Sequence, residues 1–209
     1  MLLRTLTRLG IRPNWVTFLG LGFSVGAGYC LGVGRIQLAV VPFAFAGVCD
    51  VLDGRLARYQ NSDSAMGALL DSVVDRYSDF CYFFGLCVYF VGQGRMVLAA
   101  FAISALLAAV CISYIRARSH SLGYLAGGGY WERPERMIVI GFGMLLLNPA
   151  MIVILLGLLA HLTAFQRLLD ANRGLNSAHG AVEGVKNRYS FAWVAQTLCY
   201  VLVLTFFRP

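Results

Sequence analysis

The sequence predicts an all-α integral-membrane protein, and three observations carry that reading. Mean hydropathy is +0.71. Only 13% of residues are charged, against roughly 25% in soluble domains. The apolar residues come in runs of about 18 to 25, each long enough to cross a hydrocarbon core as a helix. The same numbers exclude a water-soluble fold.

The elements follow in order. Residues 1–12 place Arg4, Arg8 and Arg12 four apart on one helical face and Leu2, Leu6 and Leu9 on another, the pattern of an interfacial amphipathic helix on anionic lipid. Arginines before an apolar stretch also occur in signal peptides. Here Tyr29 before Cys30 spoils a lipoprotein cleavage box, no A-x-A site follows promptly and more spans come after, so the segment is read as mature protein. Spans are expected at 15–34, 37–57, 65–92, 96–115, 136–148 and 150–166. A further hydrophobic segment, 190–207, either crosses or lies along the interface. The polar stretches 116–135 and 167–189 are too short for a second core, so there is one membrane domain.

Gly22 and Gly26, and Gly28 and Gly32, are spaced for close helix packing in the first span. The six cysteines show no paired or metal-type spacing and read as small apolar fillers. The net charge of +7 is explained by topology and requires no nucleic acid. With the N-terminus inside, Arg4, Arg8, Arg12, Arg55, Arg58, Arg116, Arg118, Arg133, Arg136, Arg167, Arg173, Lys186 and Arg188 fall cytoplasmic, and only Arg35, Arg95 and Arg208 fall outside. The expected location is the cell membrane, multi-pass, with N-terminus and active site cytoplasmic.

The chemistry concentrates between Cys49 and Arg76. Asp50 and Asp53 are three apart, and Asp71 and Asp75 four apart, so each pair shares a helix face. The polar turn 59–64 makes the two helices an antiparallel hairpin whose acidic faces can meet. A charge at membrane depth costs about 2.5 to 3.5 kcal/mol, so four require on the order of 10 kcal/mol of compensation. A divalent cation supplies it, and carboxylates without His or Cys favour Mg²⁺ or Mn²⁺, with room for two ions. Gly54 and Gly67 leave open backbone for a bulky substrate. Asp79 continues the face one turn deeper and either hydrogen-bonds or ligates.

Asp50, Asp53, Gly54, Ala57, Arg58, Gly67, Asp71 and Asp75 reproduce D-x2-D-G-x2-A-R-x8-G-x3-D-x3-D, and in this the chain resembles the CDP-alcohol phosphotransferase family. Pro13, Asn14 and Thr17 resemble that family's entry motif. The resemblance implies a six-transmembrane-helix bundle over 13–173, preceded by the interfacial helix 1–12. Residues 174–209 are left as a polar loop and an extra C-terminal hydrophobic helix. It implies that Asp50, Asp53, Asp71 and Asp75 hold the metal, that Asp75 also serves as catalytic base, and that Asn14, Thr17, Gly54, Ala57, Arg58 and Gly67 accommodate the CDP-linked lipid. A homodimer among membrane lipids is implied as well.

The implied reaction moves a phosphatidyl-like group from a CDP-linked lipid to a small alcohol and releases CMP. Ser113–Arg118 and Trp131–Arg136 resemble stretches of phosphatidylinositol-phosphate and archaetidylinositol-phosphate synthases. Arg116, Arg118, Arg133 and Arg136 are therefore expected to grip an acceptor phosphate, with inositol phosphate the preferred acceptor. Glycerol phosphate is the alternative within the class. From another class, a membrane cation transporter also carries acidic residues in its spans, although usually near the midplane; a catalytically inactive homologue is the third reading.

Overall fold

The structure is a computed structural model and describes residues 2–124 and 133–179. Among these residues there are seven helices and no strands: α1 (Leu2–Arg8), α2 (Pro13–Gly32), α3 (Ile36–Tyr59), α4 (Ala65–Gly92), α5 (Met96–Ser121), α6 (Arg133–Leu145) and α7 (Pro149–His179). The segment 190–207, and Trp131 and Glu132 of the Trp131–Arg136 stretch, lie outside the described residues.

Local chemistry sets the helix ends. Pro13 and Pro149 open α2 and α7, where a missing N–H costs nothing. Asn148 Oδ1 accepts from the Met151 N–H at 3.1 Å, and Ser64 Oγ from the Gly67 N–H at 3.0 Å, each satisfying an orphan donor of a first turn. Two turns share one device: Gly34 and Gly94 take φ +79° and +70°. The following Arg35 and Arg95 amides reach back to the Cys30 and Phe90 carbonyls at 2.8 and 2.9 Å, a Schellman closure.

Four helices, α2, α3, α5 and α7, are long and apolar enough to cross a membrane. α4 has 28 residues but carries Asp71, Asp75, Arg76 and Asp79 between its first turn and its midpoint. α6 has 13 residues, about 20 Å at 1.5 Å per residue, short of the roughly 30 Å core. The sequence reading differs at four helices. α1 ends at Arg8, short of the expected residue 12, ahead of Gly10 at φ +72°. α5 runs to Ser121 and not only to 115, into the stretch read as polar. α6 starts at Arg133 and ends before a turn in which Leu147 has φ +53°. α7 continues to His179 because an apolar side, with Ala171 only 4% exposed, persists past Arg167. Large apolar side chains such as Trp15, Tyr29, Val97 and Phe142 stay exposed on the outside of the bundle, as lipid contact requires. The chain is a multi-pass membrane protein.

Packing relies on small residues. α2 lies on α3 and α4, and α5 on α4 and α7. Gly28 and Gly85 mark the tightest crossing: a methyl on Gly28 would strike the Cys81 carbonyl, and one on Gly85 the Gly28 carbonyl. Ala99, Ala102, Ala105 and Ala109 of α5 meet Phe83, Leu86 and Phe90 of α4 in the main core. Ser104 and His161 join α5 to α7 at 2.8 Å, so His161 is an interhelical partner. Because neighbouring helices alternate in direction, the start of α2, the end of α3, the start of α4, the end of α5 and the start of α6 share one end of the bundle.

Candidate active site

At that end lies a cavity of about 1520 Å³, large enough for a nucleotide and a second substrate together. Its acidic wall is the α3–α4 hairpin. Asp50, Asp71 and Asp75 each bring a carboxylate oxygen into one group whose members lie within 4.8 Å of one another. Oxygens on opposite sides of one octahedral Mg²⁺ stand about 4.2 Å apart, so small side-chain rotations suit the set to a hard divalent ion. Asp53 borders the same cavity but is only 6% exposed. Its Oδ2 accepts from the Thr17 hydroxyl at 2.6 Å and its Oδ1 from the Gly54 N–H at 2.6 Å.

The residues expected around a CDP-linked lipid all line this cavity: Asn14, Thr17, Gly54, Ala57, Arg58 and Gly67. Gly54 faces open space, with only the Arg58 guanidinium 4.0 Å from where a Cβ would sit. Gly67 is the amide capped by Ser64, and a Cβ there would stand 3.1 Å from that hydroxyl. Thr17, expected beside the lipid, also fixes Asp53.

The basic wall comes from α5, α6 and α7. Arg116, Arg133 and Arg136 line the cavity. Arg118 does not: its Nη1 lies 3.5 Å from Ser121 Oγ on the exposed side of α5. Arg133 is central, with Nη1 2.7 Å from Asp50 Oδ1 and 2.8 Å from Asp75 Oδ1. Asp50, Asp75 and Asp79 crowd negative charge around this guanidinium, which is a cation under all ordinary conditions. Arg136 is 2% exposed, and its Nη2 reaches Asp79 Oδ2 at 3.1 Å. Asp79, left open between two roles, is thus an ion-pair partner.

Two lining residues escaped the sequence reading. Arg167 of α7, read only as a cytoplasmic charge, is 5% exposed, lines the cavity and places Nη1 3.4 Å from the Ile112 carbonyl. His120, within the stretch 116–135 read only as polar, sits on the last turn of α5 and also lines the cavity. Arg167 stands just beyond an apolar span, which is also where topology alone puts arginines.

The sequence pattern of the CDP-alcohol phosphatidyltransferases matches residues 10–166, well over half of the chain. The chain belongs to the CDP-alcohol phosphatidyltransferase family. It is accordingly a membrane transferase of phospholipid biosynthesis. A phosphatidylinositol phosphate synthase of Mycobacterium tuberculosis is 37% identical over 147 residues, 66% of this chain and 64% of the relative. The chain thus matches somewhat under two thirds of that relative's length. An archaetidylinositol phosphate synthase of Pyrococcus horikoshii is 33% identical over 177 residues, 82% of this chain and 89% of the relative. The crystal structure of the M. tuberculosis phosphatidylinositol phosphate synthase with CDP-DAG bound superposes with a TM-score of 0.70 at 29% identity, covering 90% of this chain and 96% of that one. The same enzyme in complex with manganese and citrate superposes with a TM-score of 0.70. For this phosphatidyltransferase, the Asp50, Asp71 and Asp75 group is a set that could hold a metal ion.

Proposed function

We propose that this phosphatidyltransferase moves a phosphatidyl-like group from a CDP-linked lipid of the CDP-diacylglycerol type to inositol phosphate, releasing CMP. The observation that carries the acceptor assignment is the facing of two walls. Three carboxylates converge on one side of the cavity, and Arg116, Arg133 and Arg167 reach it from three other helices. An acceptor needing so much positive charge carries its own phosphate. Relatives named phosphatidylinositol phosphate synthase and archaetidylinositol phosphate synthase support that choice.

Asp50, Asp53, Asp71 and Asp75 would hold Mg²⁺ or Mn²⁺, as two ions, which would supply the positive charge to neutralise the pyrophosphate of the CDP-lipid. Asn14, Thr17, Gly54, Ala57, Arg58 and Gly67 surround the CDP moiety, the two glycines leaving backbone open to it. Arg116, Arg133 and Arg167 orient the acceptor phosphate, with Arg136 behind Arg133. Asp75 takes the proton from the acceptor hydroxyl. The resulting oxygen nucleophile forms a bond to the lipid-bearing phosphorus as the bond from that phosphorus to CMP breaks.

In the membrane, α4 crosses with α2, α3, α5 and α7, and the short α6 makes the sixth span where the bilayer thins around it. The arginine distribution puts the N-terminus and cavity on the cytoplasmic side, with α1 on the interface and the enzyme a homodimer. The test is an acceptor panel on purified protein with CDP-diacylglycerol and Mn²⁺, the lipid product being identified by mass. A phosphorylated inositol lipid with inositol phosphate, and no turnover with serine or free inositol, is the expected result. Product with glycerol phosphate instead would retain the reaction and discard this acceptor.

A further inference from the structure

Asp79 belongs to no part of the eight-position motif, yet it is 1% exposed and sits between two arginines of α6. Its Oδ2 holds Arg136 at 3.1 Å. Its Oδ1 faces Arg133 Nε at 3.9 Å, and these two buried atoms have no hydrogen-bond partner. A buried charge is costly even when paired, so its presence calls for a reason. Arg133 supplies one. Its Nη1 leans on Asp50 and Asp75, the same side chains that form the metal-ligand group. Any cation taken by those carboxylates competes for the oxygens that Arg133 now bridges. Asp79 Oδ1 is the acceptor on the other side of the same guanidinium, about one ångström beyond hydrogen-bond distance.

We propose that Asp79 is a positioning residue that anchors Arg133 and Arg136 of α6 beside the acceptor end of the cavity. It keeps Arg133 in place whether or not Asp50 and Asp75 are engaged with a cation. It acts through the arginines and touches neither substrate. The consequence is directional: loss of its charge weakens acceptor recognition and leaves CDP-lipid recognition, which belongs to α2, α3 and the start of α4, unchanged.

The inference rests on the function proposed above only for the identity of the acceptor, so the kinetics use whichever acceptor the wild type turns over. A wrong acceptor then shows in the wild-type panel, and a wrong role for Asp79 shows in the variants. In Asp79→Asn the acceptor KM rises about tenfold or more, while the KM for CDP-diacylglycerol stays within about twofold. Mn²⁺ affinity, read by electron paramagnetic resonance without substrates, stays within about threefold. Asp79→Glu restores part of the acceptor KM. Because Asp79→Asn leaves Arg136 buried without its partner, a second variant, Asp79→Leu with Arg136→Met, replaces the pair by apolar groups of similar volume that a buried site tolerates. It folds and shows the same rise. An acceptor KM unchanged in the folded double variant overturns the proposal. So does a tenfold loss of Mn²⁺ affinity in Asp79→Asn, which would place Asp79 among the ligands.

Discussion

Thr17 of α2 gives its hydroxyl hydrogen to Asp53 of α3 across 2.6 Å, in a site where both residues are less than a tenth exposed. That bond ties the first membrane helix to the acidic hairpin and fixes one carboxylate before any substrate arrives. Outer partners of this kind are worth about 10- to 100-fold in metal affinity or activity. Thr17→Val, which keeps the shape and removes the donor, is expected to lower kcat/KM by that range. Thr17→Ser should recover most of it. Steady-state CMP release measures both.

The three converging carboxylates predict a metal phenotype. Asp71→Asn removes one charge from the group formed with Asp50 and Asp75 and is expected to weaken Mn²⁺ binding at least about tenfold. A paramagnetic-resonance titration of the protein without substrates reads this. Chelation of the wild type should stop turnover, and added Mn²⁺ should restore it.

Arg167 is buried at the cavity wall, where a guanidinium offers a fork that an ammonium cannot reproduce. A hydrogen bond to a charged group is worth roughly 1.5 to 3 kcal/mol, which is about 10- to 100-fold. Arg167→Lys should raise the KM of the phosphorylated acceptor by that factor with little change in the KM of the CDP-lipid. Arg118→Gln, outside the cavity, should change neither. Initial-rate kinetics with each substrate varied in turn separate the two.

How far the sequence foresaw this site depends on the range of each interaction. The helices α2, α3, α4 and α5 and the carboxylate pairs are local features, set by hydropathy and by i+3 and i+4 spacing. α2, α3, α4 and the carboxylate pairs stand where the pattern put them, and α5 begins there but runs on to Ser121. The pairing of Arg133 with Asp50 and Asp75 was not legible, because it depends on how α6 docks against α3 and α4, and no local period encodes that. Arg167 was hidden for another reason: the charge bias at the ends of membrane spans and a buried phosphate grip both predict an arginine just past an apolar run. The length of α7 was underestimated because Arg167, Asp170 and Arg173 make the segment polar by composition, although Ala171 keeps one side of it buried.

The Gly28–Gly85 crossing gives a stability prediction independent of chemistry. Gly28→Ala drives a methyl into the Cys81 carbonyl, an overpacking of a kind that costs typically 1 to 3 kcal/mol. Thermal unfolding in detergent should show the loss. The fraction that remains folded should keep the wild-type KM for both substrates, since neither glycine borders the cavity.

The measurement that bears most directly on the whole account is CMP release by purified protein with CDP-diacylglycerol, Mn²⁺ and inositol phosphate, run beside Asp75→Asn. Asp75 lies in the metal group, and Arg133 holds it at 2.8 Å. Removing a base contributes about 10² to 10⁴ in rate, and loss of a metal ligand adds to it. CMP release that requires Mn²⁺, requires the acceptor, and falls by about a thousandfold or more in a folded Asp75→Asn variant is the predicted result. Undiminished release in that variant, or release indifferent to Mn²⁺, would contradict the account.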